Sequence, residues 1–174
     1  DSGNFTWEKT DLVEELLKAC SWCIILIEKH ILDLFELEKF TNLFVNNLKK
    51  TSIILLQGEL GSGKTTFIRM LINNLYKLHN LPQPNIIPSP TYTIQQSYLL
   101  KDYTIHHYDF YRIKKLKEII EIGFDENIEG NISLIEWPEI IKPIIKKYNT
   151  ITVKLSFVDK YKREFTIYEW FNNR

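Results

Sequence analysis

Two kinds of apolar pattern alternate along the chain. Short runs that are almost wholly apolar, Ile53-Ile54-Leu55-Leu56 and Ile132-Ser133-Leu134-Ile135, fit strands of a parallel sheet covered on both faces. Between and around them, apolar residues return every three or four positions, the period of a helix with one buried face. Phe67, Ile68, Leu71, Ile72, Leu75 and Leu78 do so directly after the first run. Leu34, Leu37, Phe40, Phe44 and Leu48 predict a helix over 34–48, and residues 114–122 predict a shorter one. Leu12, Val13, Leu16, Leu17 and Cys20 predict an amphipathic helix inside an N-terminal extension, residues 1–30. Pro82, Pro84, Pro88 and Pro90 forbid helix and mark an extended loop. Thr91–Tyr98 and Tyr103–Tyr108 read as two strands joined by a short turn, and Pro138 and Pro143 flank a helical turn. Strict alternation of Ile151, Val153, Leu155 and Phe157, followed by Phe165, Ile167 and Trp170, predicts a C-terminal hairpin.

Composition narrows the possibilities. A chain of 174 residues suits one domain, taken as 31–174, with one substantial core. At 44% hydrophobic and 13% aromatic it is too apolar for wholesale disorder. Lys plus Arg equals Asp plus Glu, 22 each. A protein that grips nucleic acid by itself shows a basic excess, so tight autonomous binding of RNA or DNA is not expected. No apolar run reaches the roughly 18 residues that span a bilayer; Cys23–Ile27 stops at Glu28-Lys29, and no membrane role is expected. Cys20 and Cys23 are the only cysteines, without the second ligand pair or thioredoxin-like unit that a metal or redox reading needs, and they read as reduced thiols. The chain opens on Asp1 rather than Met, as a trimmed, processed or partial product would. A cytoplasmic protein is expected, with an organelle of bacterial origin as the alternative.

The chemistry concentrates in Gly58-Glu59-Leu60-Gly61-Ser62-Gly63-Lys64-Thr65, a G-x(4)-G-K-T phosphate-binding loop set between an apolar strand and an amphipathic helix. Its glycines allow successive backbone N–H groups to point inward as an anion nest. The positive end of the helix that opens at Lys64 adds to that field. Lys64 supplies a point charge for β- and γ-phosphates, and the Thr65 hydroxyl is a ligand for Mg²⁺. Two strands end in acids at the expected ligand edge: Tyr108 runs into Asp109 and Ile135 into Glu136. Either acid can serve the magnesium, directly or through water, or orient an attacking water; the competing reading is a strand-end salt bridge. Ser89-Pro90-Thr91-Tyr92-Thr93 is either a switch-like loop that senses the γ-phosphate or a proline turn with hydroxyl caps. Trp137, held toward extended geometry by Pro138, is a candidate to pack on base, ribose or partner, or to join the core. His106 and His107, adjacent on a strand, point to opposite faces, which disfavours a shared metal and suggests one solvated and one packed ring.

Five segments in register resemble the TsaE (YjeE) family, over about residues 34–170. They are Gly58 to Phe67, Ser89 to Thr93, His107-Tyr108-Asp109-Phe110-Tyr111-Arg112, Glu121-Ile122-Gly123-Phe124 and Ile135-Glu136-Trp137-Pro138-Glu139. The resemblance implies a P-loop NTPase-like three-layer α/β fold with a mixed, largely parallel central sheet, and ATP with Mg²⁺ as cofactors. It implies an ATPase that is weak alone and stimulated within the machinery making N6-threonylcarbamoyladenosine in tRNA. The partners it implies are TsaD-like and TsaB-like proteins, with tRNA met indirectly through the complex. On the same resemblance, the loop residues Glu59, Leu60, Gly61, Ser62, Gly63, Lys64, Thr65 and Thr66, with Trp137, hold the nucleotide. Thr65 and Glu136 are metal-site residues, and Asp109 takes a Walker B-like role and joins that metal set. Lys64, Asp109 and Glu136 are catalytic, and Ser89, Pro90, Thr91 and Thr93 form the switch-like loop. Residues 1–30 have no counterpart in the pattern.

Two rivals share the loop. A small-molecule kinase brings extra arginines on a lid, but the only arginines are Arg69, Arg112, Arg163 and Arg174, and no two sit in a candidate lid. A non-catalytic nucleotide-sensing module is disfavoured by the two strand-end acids.

Overall fold

A computed structural model describes residues 22–172. Seven strands form one mixed sheet: β1 (Trp22–Leu32), β2 (Ile53–Gln57), β3 (Gln95–Leu99), β4 (Thr104–Asp109), β5 (Ile132–Glu136), β6 (Thr150–Phe157) and β7 (Arg163–Asn172). Their spatial order is β1-β7-β6-β2-β5-β4-β3. The central four, β6, β2, β5 and β4, are parallel. Antiparallel strands close both edges, β3 on β4 at one side and β7 then β1 at the other. The expected mixed sheet with a C-terminal hairpin is thus present, but it is only partly parallel, because antiparallel strands close both edges.

Helices cover both faces. On one face lie α1 (Leu34–Phe44) and α2 (Lys64–Leu78), whose Phe40, Phe44, Phe67, Ile68, Leu71 and Leu75 pack on Ile54, Leu56, Leu134 and Val153. On the other lie α3 (Leu116–Glu121), α4 (Phe124–Ile128), a 3₁₀ turn over Pro138–Ile141 and α5 (Lys142–Ile145), packed on Ile53, Leu55, Tyr108 and Ile135. β2 supplies Ile54 and Leu56 to one core and Ile53 and Leu55 to the other, which is why its sequence is apolar without a break. α1 begins at a capping box, with the Asp33 carboxylate accepting from Glu36 N and the Glu36 carboxylate from Asp33 N.

Several expectations shift. The helix of 34–48 is α only to Phe44, continues as 3₁₀ over Val45–Asn47, and leaves Leu34 exposed. At the far end of α2, Leu78 is likewise exposed. The strand expected from Thr91 starts only at Gln95, because residues 91–94 turn: Ile94 N donates to Pro90 O with Ile94 at a φ of 69°. α4 had no clear periodic signal. The extension's helix over Leu12–Cys20 lies outside the described residues, as does Cys20. Residues 22–30, placed with that extension, are strand β1 instead, and Cys23 falls within it. They complete the sheet by pairing along β7, a contact that no local pattern announces.

Candidate functional site

Parallel strands point their carboxyl ends the same way, and that edge gathers the candidate residues. The loop leaves β2 at Gly58, where φ is +153°. A Cβ there would lie 2.6 Å from Ser62 Oγ and 2.7 Å from Leu155 O, so the backbone approaches β6 as only glycine allows. Gly61 and Gly63 also take positive φ, and Gly63 caps α2. Glu59 and Leu60 sit exposed at the crest of the loop, Ser62 is wholly buried, and Thr66 is half-buried in the first turn of α2.

Lys64 is buried and bent back on its own loop. Its Nζ donates to Gly58 O at 2.7 Å and Glu59 O at 2.9 Å, and lies 4.2 Å from the centre of the Trp137 ring. Burial pushes its ammonium below the ordinary lysine value, while the charges of Glu136, Asp109 and Glu139 pull it back up.

The two acids end adjacent parallel strands and stand opposite one another in register, Asp109 against Glu136. They are 3% and 2% exposed, yet no lysine or arginine among the described residues forms an ion pair with either. The Thr65 hydroxyl donates to both Glu136 oxygens at 3.0 Å. His107 Nε2 meets Glu136 Oε1 at 2.8 Å. Asp109 accepts from Thr91 Oγ1 at 2.6 Å and from Tyr111 N at 2.9 Å. Ser89 Oγ lies 2.8 Å from Thr91 Oγ1, whose proton is already committed to Asp109, so Ser89 donates. Pro90 is buried and holds the turn through Ile94 N, and the Thr93 hydroxyl accepts from Gln96 Nε2. The Ser89–Thr93 loop is therefore tied to Asp109 through Thr91.

Trp137 departs from its expected extended geometry: its φ is 56° and its ψ 59°, left-handed. The chain leaves β5 at Glu136 and must turn at once into Pro138, and the ring lands on Lys64 and on Tyr111, 4.9 Å away. The histidines are also corrected. Both are buried; the ring of His106 is flanked by Ser97 Oγ and Gln95 Nε2 of β3, the strand beside it in the sheet. The direct contact between His107 and Glu136 was missed; its only sequence signal is that His107 shares a strand face with Asp109.

The donors fit Mg²⁺. One hydroxyl and two buried carboxylates without a lysine or arginine ion pair are hard oxygen ligands with no sulfur among them. Among the described residues no cluster of three or more His, Cys, Asp or Glu forms a cage by itself. An ion here needs Thr65 and phosphate oxygens to complete its shell.

The model of the family described as threonylcarbamoyl adenosine biosynthesis protein TsaE matches residues 32–165. The tRNA threonylcarbamoyladenosine biosynthesis protein TsaE of Rickettsia typhi is 44% identical over 128 residues, covering 74% of this chain and 85% of that protein. The protein of the same name from Rickettsia prowazekii is 43% identical over 134 residues, covering 77% and 89%. That of Treponema pallidum is 32% identical over 121 residues, covering 69% and 84%. Among solved structures, the crystal structure of Bacillus subtilis YdiB shares the fold, with a TM-score of 0.62, 21% identity and coverage of 84% of this chain and 86% of that one. Among the described residues no helix is long and apolar enough to cross a membrane. With the family match spanning the loop and both acids, the chain belongs to the TsaE family of tRNA threonylcarbamoyladenosine biosynthesis proteins.

Proposed function

We propose that the chain binds ATP with Mg²⁺ at the Gly58–Thr65 loop and hydrolyses it, as the ATPase of threonylcarbamoyladenosine synthesis, working with TsaD-like and TsaB-like proteins. The observation that carries this reading is the join between loop and acids: the Thr65 hydroxyl on Glu136, with Asp109 beside it in register. Lys64 rests on loop carbonyls, which are weaker partners than phosphate oxygens, so its charge is available to a triphosphate. The backbone N–H groups of 59–64 and the start of α2 would receive the β-phosphate. Thr65, Glu136 and Asp109 would hold Mg²⁺, which supplies positive charge to the β- and γ-phosphate oxygens. Asp109, already aligned by Thr91 and Tyr111 N, is placed to accept a hydrogen bond from the attacking water.

The arginines argue against a kinase lid. Arg69 donates to Ile87 O, Arg112 stacks on Tyr92, and Arg163 stacks on Phe157 and donates to Asp159 O. The test is calorimetry of ATP binding beside phosphate release, each across a Mg²⁺ titration, for the parent, Asp109→Asn and Glu136→Ala. Each variant is expected to lose more turnover than affinity. A variant that hydrolyses ATP at the parental rate removes its residue from the mechanism, and tight binding without turnover in the full complex makes the chain a nucleotide sensor.

A further inference from the structure

His107 is a buried polar group that the proposed mechanism does not use. It is 0% exposed, on β4, two residues before Asp109 and on the same face. Its Nε2 lies 2.8 Å from Glu136 Oε1, and its Nδ1 is buried without a hydrogen-bond partner. A carboxylate can only accept, so Nε2 carries the hydrogen of that contact.

Glu136 therefore has two donors on different sides of the site. Thr65, on α2, reaches both oxygens, while His107, from the neighbouring strand, takes Oε1 alone. One threonine proton shared between two oxygens leaves the carboxylate free to swing about it. The fixed imidazole breaks that symmetry: it pins Oε1 to β4 and leaves Oε2 facing the Thr65 hydroxyl. We infer that His107 is the positioning residue that sets the orientation of the Glu136 carboxylate, and with it the affinity of the site for the divalent cation that accompanies the nucleotide. The inference rests on Glu136 serving that cation, as proposed above. Groups that hydrogen-bond to metal ligands from behind typically change metal affinity or activity by about 10- to 100-fold when removed.

The test separates donor from filler. His107→Gln keeps an N–H near the Nε2 position; His107→Leu keeps bulk and removes the donor. For the parent, both variants and Glu136→Ala, ATP binding is measured by calorimetry in excess chelator and across a Mg²⁺ titration. Phosphate release is followed over the same titration. His107→Leu is expected to raise the Mg²⁺ concentration for half-maximal enhancement of binding by about 10- to 100-fold, with metal-free affinity unchanged. His107→Gln should recover most of the loss. Should His107→Leu fail to fold, His107→Asn, polar but too short to reach Glu136, replaces it with the same expectation. A parental Mg²⁺ requirement in His107→Leu overturns the inference, and so does equal impairment in His107→Leu and His107→Gln, which would mean packing alone. Glu136→Ala with a parental requirement overturns the site reading beneath it; Glu136→Ala impaired beside an unimpaired His107→Leu overturns only the role of His107.

Discussion

At the scale of single residues, Lys64 illustrates how a buried charge is kept at a cost to stability. It sits buried between loop carbonyls and the Trp137 face, and that burial lowers its affinity for a proton relative to the ordinary value of 10.5. The unfolded chain then holds the proton more tightly than the folded one. Between the lowered folded-state value and 10.5 the unfolded state binds more protons, so stability rises with pH across that window, and below it the buried charge weighs fully on the fold. Lys64→Met should flatten this rise, which urea unfolding of both chains from about pH 7 to about pH 10 would measure; equal slopes would rule the account out. The same charge is the one proposed above to meet the triphosphate. Lys64→Ala should lose about 1.5–3 kcal/mol of triphosphate binding, roughly ten- to a hundred-fold, in a folded protein. Unchanged affinity by calorimetry would remove the loop from nucleotide binding.

At the scale of elements, the site depends on how strand ends turn. Gly58 leaves β2 with no room for a side chain, since Leu155 O belongs to the β6 backbone and cannot move aside. Gly58→Ala should therefore cost about 1–3 kcal/mol by overpacking and displace the loop, lowering ATP affinity as well. Gly61, with positive φ but nothing within 4 Å of an added Cβ, is the comparison: its alanine variant meets only backbone strain. Thermal unfolding and ATP calorimetry of the two variants should rank Gly58→Ala as the worse on both counts, and the reverse order would contradict the packing described. Trp137 turns the end of β5 in the same manner, at positive φ, and so sets its ring on Lys64 and Tyr111 rather than along the strand.

At the scale of the whole molecule, the net charge is zero and the three described arginines, Arg69, Arg112 and Arg163, each already hold a partner, which leaves little with which to hold tRNA or steady transition-state charge. An arginine supplied by a partner contributes about 10³–10⁵ in rate to P-loop hydrolysis. The isolated chain is accordingly expected to turn over slowly, and the TsaD–TsaB pair to raise the rate substantially. Steady-state phosphate release with and without the cognate pair, beside threonylcarbamoyladenosine formation on tRNA, checks this. Fast turnover by the chain alone, or no response of either activity to mixing, would refute it.

Much of this was legible locally. The loop carries its chemistry in consecutive residues, and β2 and β5 declare burial on both faces by being almost wholly apolar. The acids were legible because each directly ends a strand pattern, β4 at Asp109 and β5 at Glu136. What sequence could not supply was cross-chain register and the direction of side chains leaving a turn. β1 was unreadable because its place is set by β7, some 140 positions away in sequence. The surroundings of His106 depended on β3 pairing beside β4 with Ser97 opposite it, and Trp137 was pulled from extended geometry by the turn it had to make. The contact of His107 with Glu136 arises only when β4 lies parallel to β5 in one particular register. Periodicity and local backbone limits were enough to say which chemical groups the protein carries and, for the loop and the strand-end acids, on which kind of element each sits. Only the tertiary structure decided which groups meet, because hydrogen bonds and desolvation act through space between residues that the chain keeps far apart.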